Sequence, residues 1–105
     1  MVRPNSMSCA QVARMLHVHE PLVRALVAHG ALPAPDKDGC FRADLVTGML
    51  EHVPWLRRLD VPMSVRELAA IHPGLSIPDG VGFRWHGRDY ARLADVLAAG
   101  WRVAA

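Results

Sequence analysis

The sequence predicts a mainly α-helical fold with a small β-hairpin. Two short helices come first, then a hairpin and a third helix, then a smaller, degenerate helix–hairpin–helix half. Three observations carry this expectation. Apolar residues recur in short blocks at helical spacing, without the long alternation of extended strands. Glycine or proline closes most of the blocks. The stretch ALPAPDKDGCFR holds two prolines and an Asp-Lys-Asp-Gly turn, which exclude helix and suit two short extended arms.

The first helix opens at Ser8, whose hydroxyl is placed to cap Gln11 while Gln11 reaches back in a capping box. Met7 before the cap and Val12 beyond it match a hydrophobic staple. Val12, Met15 and Leu16 then share one face and Arg14 points away, giving a helix over residues 9–16. His17-Val18-His19 is a turn. Glu20 and Pro21 open the second helix, where proline loses no intrahelical bond and an acid suits the helix dipole. Leu22, Val23, Leu26 and Val27 form its apolar stripe, with Arg24, Ala25 and Ala28 on other faces, and Gly30 stops it after residues 20–29. Residues 31–34 and 40–42 are the predicted hairpin arms. A third helix over residues 44–52 turns Leu45, Val46, Met49 and Leu50 inward and ends before Pro54. Residues 55–62 form a joint, with WLRRL as one further helical turn.

The pattern then restarts. MSVRELAAI at 63–71 matches MSCAQVARM at 7–15, and both copies have a capping box in the same place. The second copy departs at SIPDGVGFRW, residues 76–85, where Pro78, Gly80 and Gly82 bar a second helix. Residues 81–85 serve instead as a hairpin arm, with His86-Gly87 near its turn. A final helix is expected over residues 89–99, with Tyr90, Leu93, Val96 and Leu97 inward and Gly100 as its stop. The chain thus divides into residues 1–59 and residues 60–105.

Composition narrows the function. A chain of 105 residues, 51% hydrophobic, suffices for one compact domain or two very small ones. No apolar run approaches the roughly 18–20 residues needed to cross a bilayer, and MVRPNSMSCA has no apolar signal core. A cytoplasmic protein with no membrane partner is expected. Cys9 and Cys40 form no CxxC pair and are expected as free thiols. The net charge of +2 is only mildly basic. Seven Lys/Arg and five Asp/Glu fall in residues 1–59, against five of each in residues 60–105. Eleven of the twelve cations are arginine, which suits bidentate contacts to phosphate and guanine.

The chain has no carboxylate pair, nucleophile motif or phosphate-binding glycine loop; Gly80-Val81-Gly82 is a lone GxG. No enzyme and no cofactor are expected. His17-x-His19 with Glu20, joined by Cys9 or Cys40, matches no standard zinc spacing, so no metal site is expected either. His52, His72 and His86 lie near predicted helix ends or turns.

Two helices joined by a short turn form a helix-turn-helix, and a hairpin after the second helix is a wing. The second helix of such a unit fits the major groove of duplex DNA, and the wing reaches the neighbouring backbone or minor groove. Residues 7–52 resemble the compact winged helix-turn-helix of the MerR-like and excisionase superfamily. The resemblance is carried by ARML at 13–16, VRAL at 23–26, GALP at 30–33 and FRADL at 41–45, in that order. The chain departs from the family at His19, where Ser or Thr is usual, and in the FRADL lead-in, which is a residue shorter than the common form. It also lacks a long dimerisation helix and a sensor cysteine cluster, so the resemblance implies a DNA-binding module with no small-molecule effector.

Resemblance and geometry together imply that His19, Glu20, Arg24 and Ala28 face the groove. Arg24 would read guanine and Glu20 would accept from a cytosine amine. Lys37 and Arg42 would reach phosphate from the wing, and Arg14 and Arg3 from the flank. The function expected is sequence-specific binding of double-stranded DNA, as a transcriptional regulator or excisionase-like architectural factor. It would work as a homodimer or cooperative oligomer, with Trp85, Tyr90 and Trp101 as the contact between copies. The competing expectation is a protein-binding adaptor or inhibitor on the same scaffold, which the modest pI of 8.9 favours.

Overall fold

A computed structural model describes residues 5–73 and 77–101 of the chain. The order is β1 (Ser6–Met7), α1 (Cys9–Leu16), α2 (Glu20–Ala28), β2 (Phe41–Arg42), α3 (Ala43–His52), a 3-10 turn (Pro54–Arg58), β3 (Pro62–Ser64), α4 (Val65–Ile71), β4 (Phe83–Trp85), β5 (Arg88–Arg92) and α5 (Leu93–Gly100). The architecture is mixed, with helices joined by two small antiparallel sheets. None of the described helices is long and apolar enough to cross a membrane.

Both predicted capping boxes are formed. The Gln11 amide donates to Ser8 Oγ at 3.1 Å and the Ser8 amide to Gln11 Oε1 at 2.7 Å. The Glu67 amide donates to Ser64 Oγ at 3.3 Å and the Ser64 amide to Glu67 Oε1 at 3.4 Å. Each cap satisfies amides that the first helical turn leaves without partners. Helix α1 ends where His17 enters the left-handed region at φ 57°, and the Val18 amide bonds back to the Ala13 carbonyl at 3.0 Å. Gly30, at φ 79°, ends α2 in the same way, with the Ala31 amide on the Leu26 carbonyl at 2.8 Å. Pro54 stops α3, and PWLRR makes the extra turn expected of the joint.

Three expectations are corrected. The arm predicted at residues 31–34 is not a strand. Strand β2 pairs with β1 instead, Met7 opposite Phe41 and Ser6 opposite Arg42. Pro33 and Pro35 have no amide to give to a ladder, whereas β1 has both donors and acceptors. Of the predicted hairpin, only the turn is formed. Asp36 Oδ1 accepts from the amides of Asp38 at 2.9 Å and Cys40 at 3.0 Å, and the Asp36 amide bonds the Cys40 carbonyl at 2.8 Å.

The last helix begins at Leu93, not at residue 89. His86 at φ 50° and Gly87 at φ 75° make a two-residue turn of the kind that continues strand twist. The chain therefore leaves the turn as β5, pairing Tyr90 with Phe83 on one side and with Ser64 on the other. Finally, Met15 and Leu45, expected inward, are exposed. Burial on α1 and α3 is confined to Val12, Ala13, Leu16, Val46 and Leu50, a stripe too narrow to include them.

The two halves share one plan. In each, the strand before a Ser-capped helix pairs with the strand before the last helix, Met7 opposite Phe41 and Met63 opposite Ala91. In each, that second strand ends on an arginine that is also the helix N-cap, Arg42 or Arg92. Between these parts the first half places α2 and a turn, and the second places β4. Leu56 and Leu59 of the joint, fully buried, carry one core of apolar side chains through both halves. The Ala94 amide bonds the Leu59 carbonyl at 3.0 Å, and Arg92 bridges Asp60 at 3.1 Å and Asp95 at 3.0 Å.

Candidate nucleic-acid interface

Helix α2 divides cleanly. Leu22, Val23 and Leu26 are 4%, 0% and 0% exposed and hold the helix on the core. Glu20, Arg24 and Ala28 are all exposed. Their spacing of four places them in one row along the helix, with His19 exposed at its start. His19 is the N-cap by backbone position, but its side chain makes no capping bond, so the imidazole is not committed to the helix. Among the described residues, Arg24 takes part in no ion pair. The row presents an acid, a guanidinium and a small residue to solvent.

Cys9, which sequence reasoning weighed beside Glu20 only as a metal ligand, lies beside this face. Its thiol is 4.0 Å from the Glu20 carbonyl oxygen. Burial pushes its pKa up, the Glu20 charge adds to that, and Arg24 pulls the other way. The thiol thus lies close to the start of the row expected to read bases. Nothing in the order of residues signals this contact, because it depends on how α1 crosses α2.

The flanking cations differ in availability. Arg14, in the last turn of α1, is exposed and bears no ion pair among the described residues. Lys37 is exposed at the tip of the Asp36–Gly39 turn, between two acids. Arg42 is already occupied, its Nη2 bridging Asp44 Oδ2 at 2.8 Å. Arg3 lies outside the described residues. The aromatic residues expected at a contact between copies are not all in one place. Trp85 and Tyr90 meet on the β4–β5 hairpin, ring centroids 6.0 Å apart. Trp101 instead stacks on His29 at the end of α2, centroids 4.0 Å apart and planes 10° from parallel.

Among the described residues no group of three or more His, Cys, Asp and Glu side chains is placed to hold a metal ion. Comparison with protein-family models, curated proteins and solved structures finds no match to this chain. The functional reading therefore rests on side chains and geometry.

Proposed function

We propose that the protein binds double-stranded DNA in a sequence-specific way, as a regulator or excisionase-like architectural factor. The observation that carries this is the division of α2, with an exposed row of Glu20, Arg24 and Ala28 backed by a fully buried apolar stripe. An exposed helix held rigidly from behind is what a major groove about 12 Å wide accepts. Arg24 reads guanine and Glu20 favours cytosine. Arg14 and Lys37 contribute phosphate contacts that set register without sequence preference. Arg42 contributes less, because Asp44 already neutralises it. One short helix covers few base pairs, so the protein acts as a pair of copies or cooperatively on repeated sites.

Selection of bound duplexes from a random pool tests the reading directly, followed by a salt titration on the selected site. Affinity should fall steeply with salt. Arg24→Ala should cost about 1–3 kcal/mol on the selected site and relax preference at one position. Lys37→Ala should weaken all duplexes alike. No enriched motif and no duplex binding at low salt would leave the adaptor reading, which the net charge of +2 favours.

A further inference from the structure

We propose that the outer face of the three-stranded sheet binds an unpaired nucleic-acid strand by stacking bases on Phe83, Trp85 and Tyr90. This site is separate from α2 and does not depend on the duplex reading. The register makes the face. Phe83 lies opposite Tyr90 and Trp85 opposite Arg88, so these four side chains leave the sheet on one side. Met63 and Ala91, which pair with each other one position along, point the other way and are 0% exposed. The core therefore lies behind β3 and β5, β4 is exposed on both faces, and the aromatic residues stand on the side away from the core. Phe83 is 52% exposed and Trp85 57%. Phe83 and Tyr90 stack at 5.9 Å with planes 17° apart, and Trp85 meets the edge of Tyr90.

Charge and area together choose the occupant. Arg88 rises from the same face and makes no ion pair among the described residues. Arg66 joins it around a depression of about 330 Å³ lined also by Ser64, Val65 and Asp89. Asp89 is the one acid there; it sits opposite Arg84 in the β4–β5 ladder. Flat apolar rings beside available guanidiniums suit bases and phosphates together. A second copy of the chain fits less well. With side chains of roughly 150–250 Å² each and about half exposed, Phe83 and Trp85 leave roughly 200 Å² open. A stable interface needs about 800 Å² from each partner, whereas two or three stacked bases need no more than this patch.

The test uses the whole chain and a fluorescein-labelled thymidine decamer, read by anisotropy and by quenching of tryptophan emission. Binding should appear at low salt, with a shallow salt dependence reflecting about two phosphate contacts. Trp85→Ala should weaken it about ten- to hundredfold, and Trp85→Phe much less. Because Trp85 is exposed, both variants should keep the circular dichroism of the parent. Arg24→Ala should leave decamer binding unchanged, which separates this site from the duplex reading. The proposal is overturned if no decamer binds, or if Trp85→Ala binds it as well as the parent does. It is also overturned if Trp85→Ala instead abolishes a concentration-dependent dimer in sedimentation while decamer binding stays the same.

Discussion

The β4–β5 hairpin depends on Gly82, and a pair of glycine substitutions measures how much. Gly80 and Gly82 both sit in the left-handed region, at φ 81° and 82°. An alanine at either position incurs about 1–2 kcal/mol of left-handed strain. The surroundings differ. A Cβ on Gly80 meets nothing within 4 Å. A Cβ on Gly82 runs into the Tyr90 carbonyl oxygen and lies 2.9 Å from Ala91 Cβ and 3.2 Å from Ala91 Cα. None of these atoms can rotate aside. Tyr90 and Ala91 are also held on their far side by Ser64 and Met63, so their retreat would open a second ladder. Overpacking of this kind costs about 1–3 kcal/mol. Gly80→Ala should therefore destabilise by about 1–2 kcal/mol and Gly82→Ala by about 2–5 kcal/mol. Both replacements also stiffen the unfolded chain by a similar amount, which cancels in the difference. Urea unfolding followed by circular dichroism gives both values, provided the two variants share one m-value. Equal losses for the two would refute the close approach as the hairpin's constraint. Under the sheet-face proposal, Gly82→Ala should also lose decamer binding.

Two further outcomes follow from local geometry. Ser8→Ala and Ser64→Ala should each cost about 1 kcal/mol in urea unfolding, because each removes the hydroxyl that accepts the third-position amide, from Gln11 at 3.1 Å and from Glu67 at 3.3 Å, while the backbone amide of the cap keeps its bond to the Gln11 or Glu67 side chain. The Asp44 carboxyl is held below its ordinary value first by the Asn5 amide at 3.0 Å, with Arg42 adding to it. A depressed acid stabilises the fold above its unfolded pKa of about 3.9, and that contribution is lost as pH falls through the folded value. Asn5→Ala should raise the Asp44 titration midpoint measured by carbon NMR and reduce the loss of stability between neutral and acid pH. An unchanged midpoint would remove Asn5 as the main cause.

What could be read from the sequence was what short-range chemistry decides. The Ser8 and Ser64 caps, the Pro21 start and Gly30 stop of α2, and the His86-Gly87 turn each follow from residues within a few positions of one another. What could not be read was pairing at a distance. Strand β1 is two residues long and lies 34 positions before its partner, so neither piece carries a pattern. Tyr90, Leu93, Val96 and Leu97 have helical spacing, which hid the strand. The spacing holds for the last three residues, and only the two flanking strands pull Tyr90 out of it. The candidate readers on α2 were legible because a rigid apolar stripe leaves their row outside. The Cys9 contact and the Trp101–His29 stack were not, since each joins elements whose crossing no local pattern specifies.

The shared plan of the two halves gives the two proposed sites a common origin in geometry. Each half closes a strand before a capped helix onto a strand ending in arginine, and this frame has room for one insertion. In the first half the insertion is a helix, whose outer row is narrow, charged and suited to a groove. In the second it is a hairpin strand, whose outer face is flat, aromatic and suited to exposed bases. Neither insertion has a core of its own. Helix α2 leans directly on the side chains that Leu56 and Leu59 connect, whereas β4, exposed at all three positions, is held through its ladder with β5, whose Ala91 is buried; the Ala94 amide, Arg92 and Asp60 fix the joint between the halves. A helix and a sheet face held by one core cannot shift independently by much.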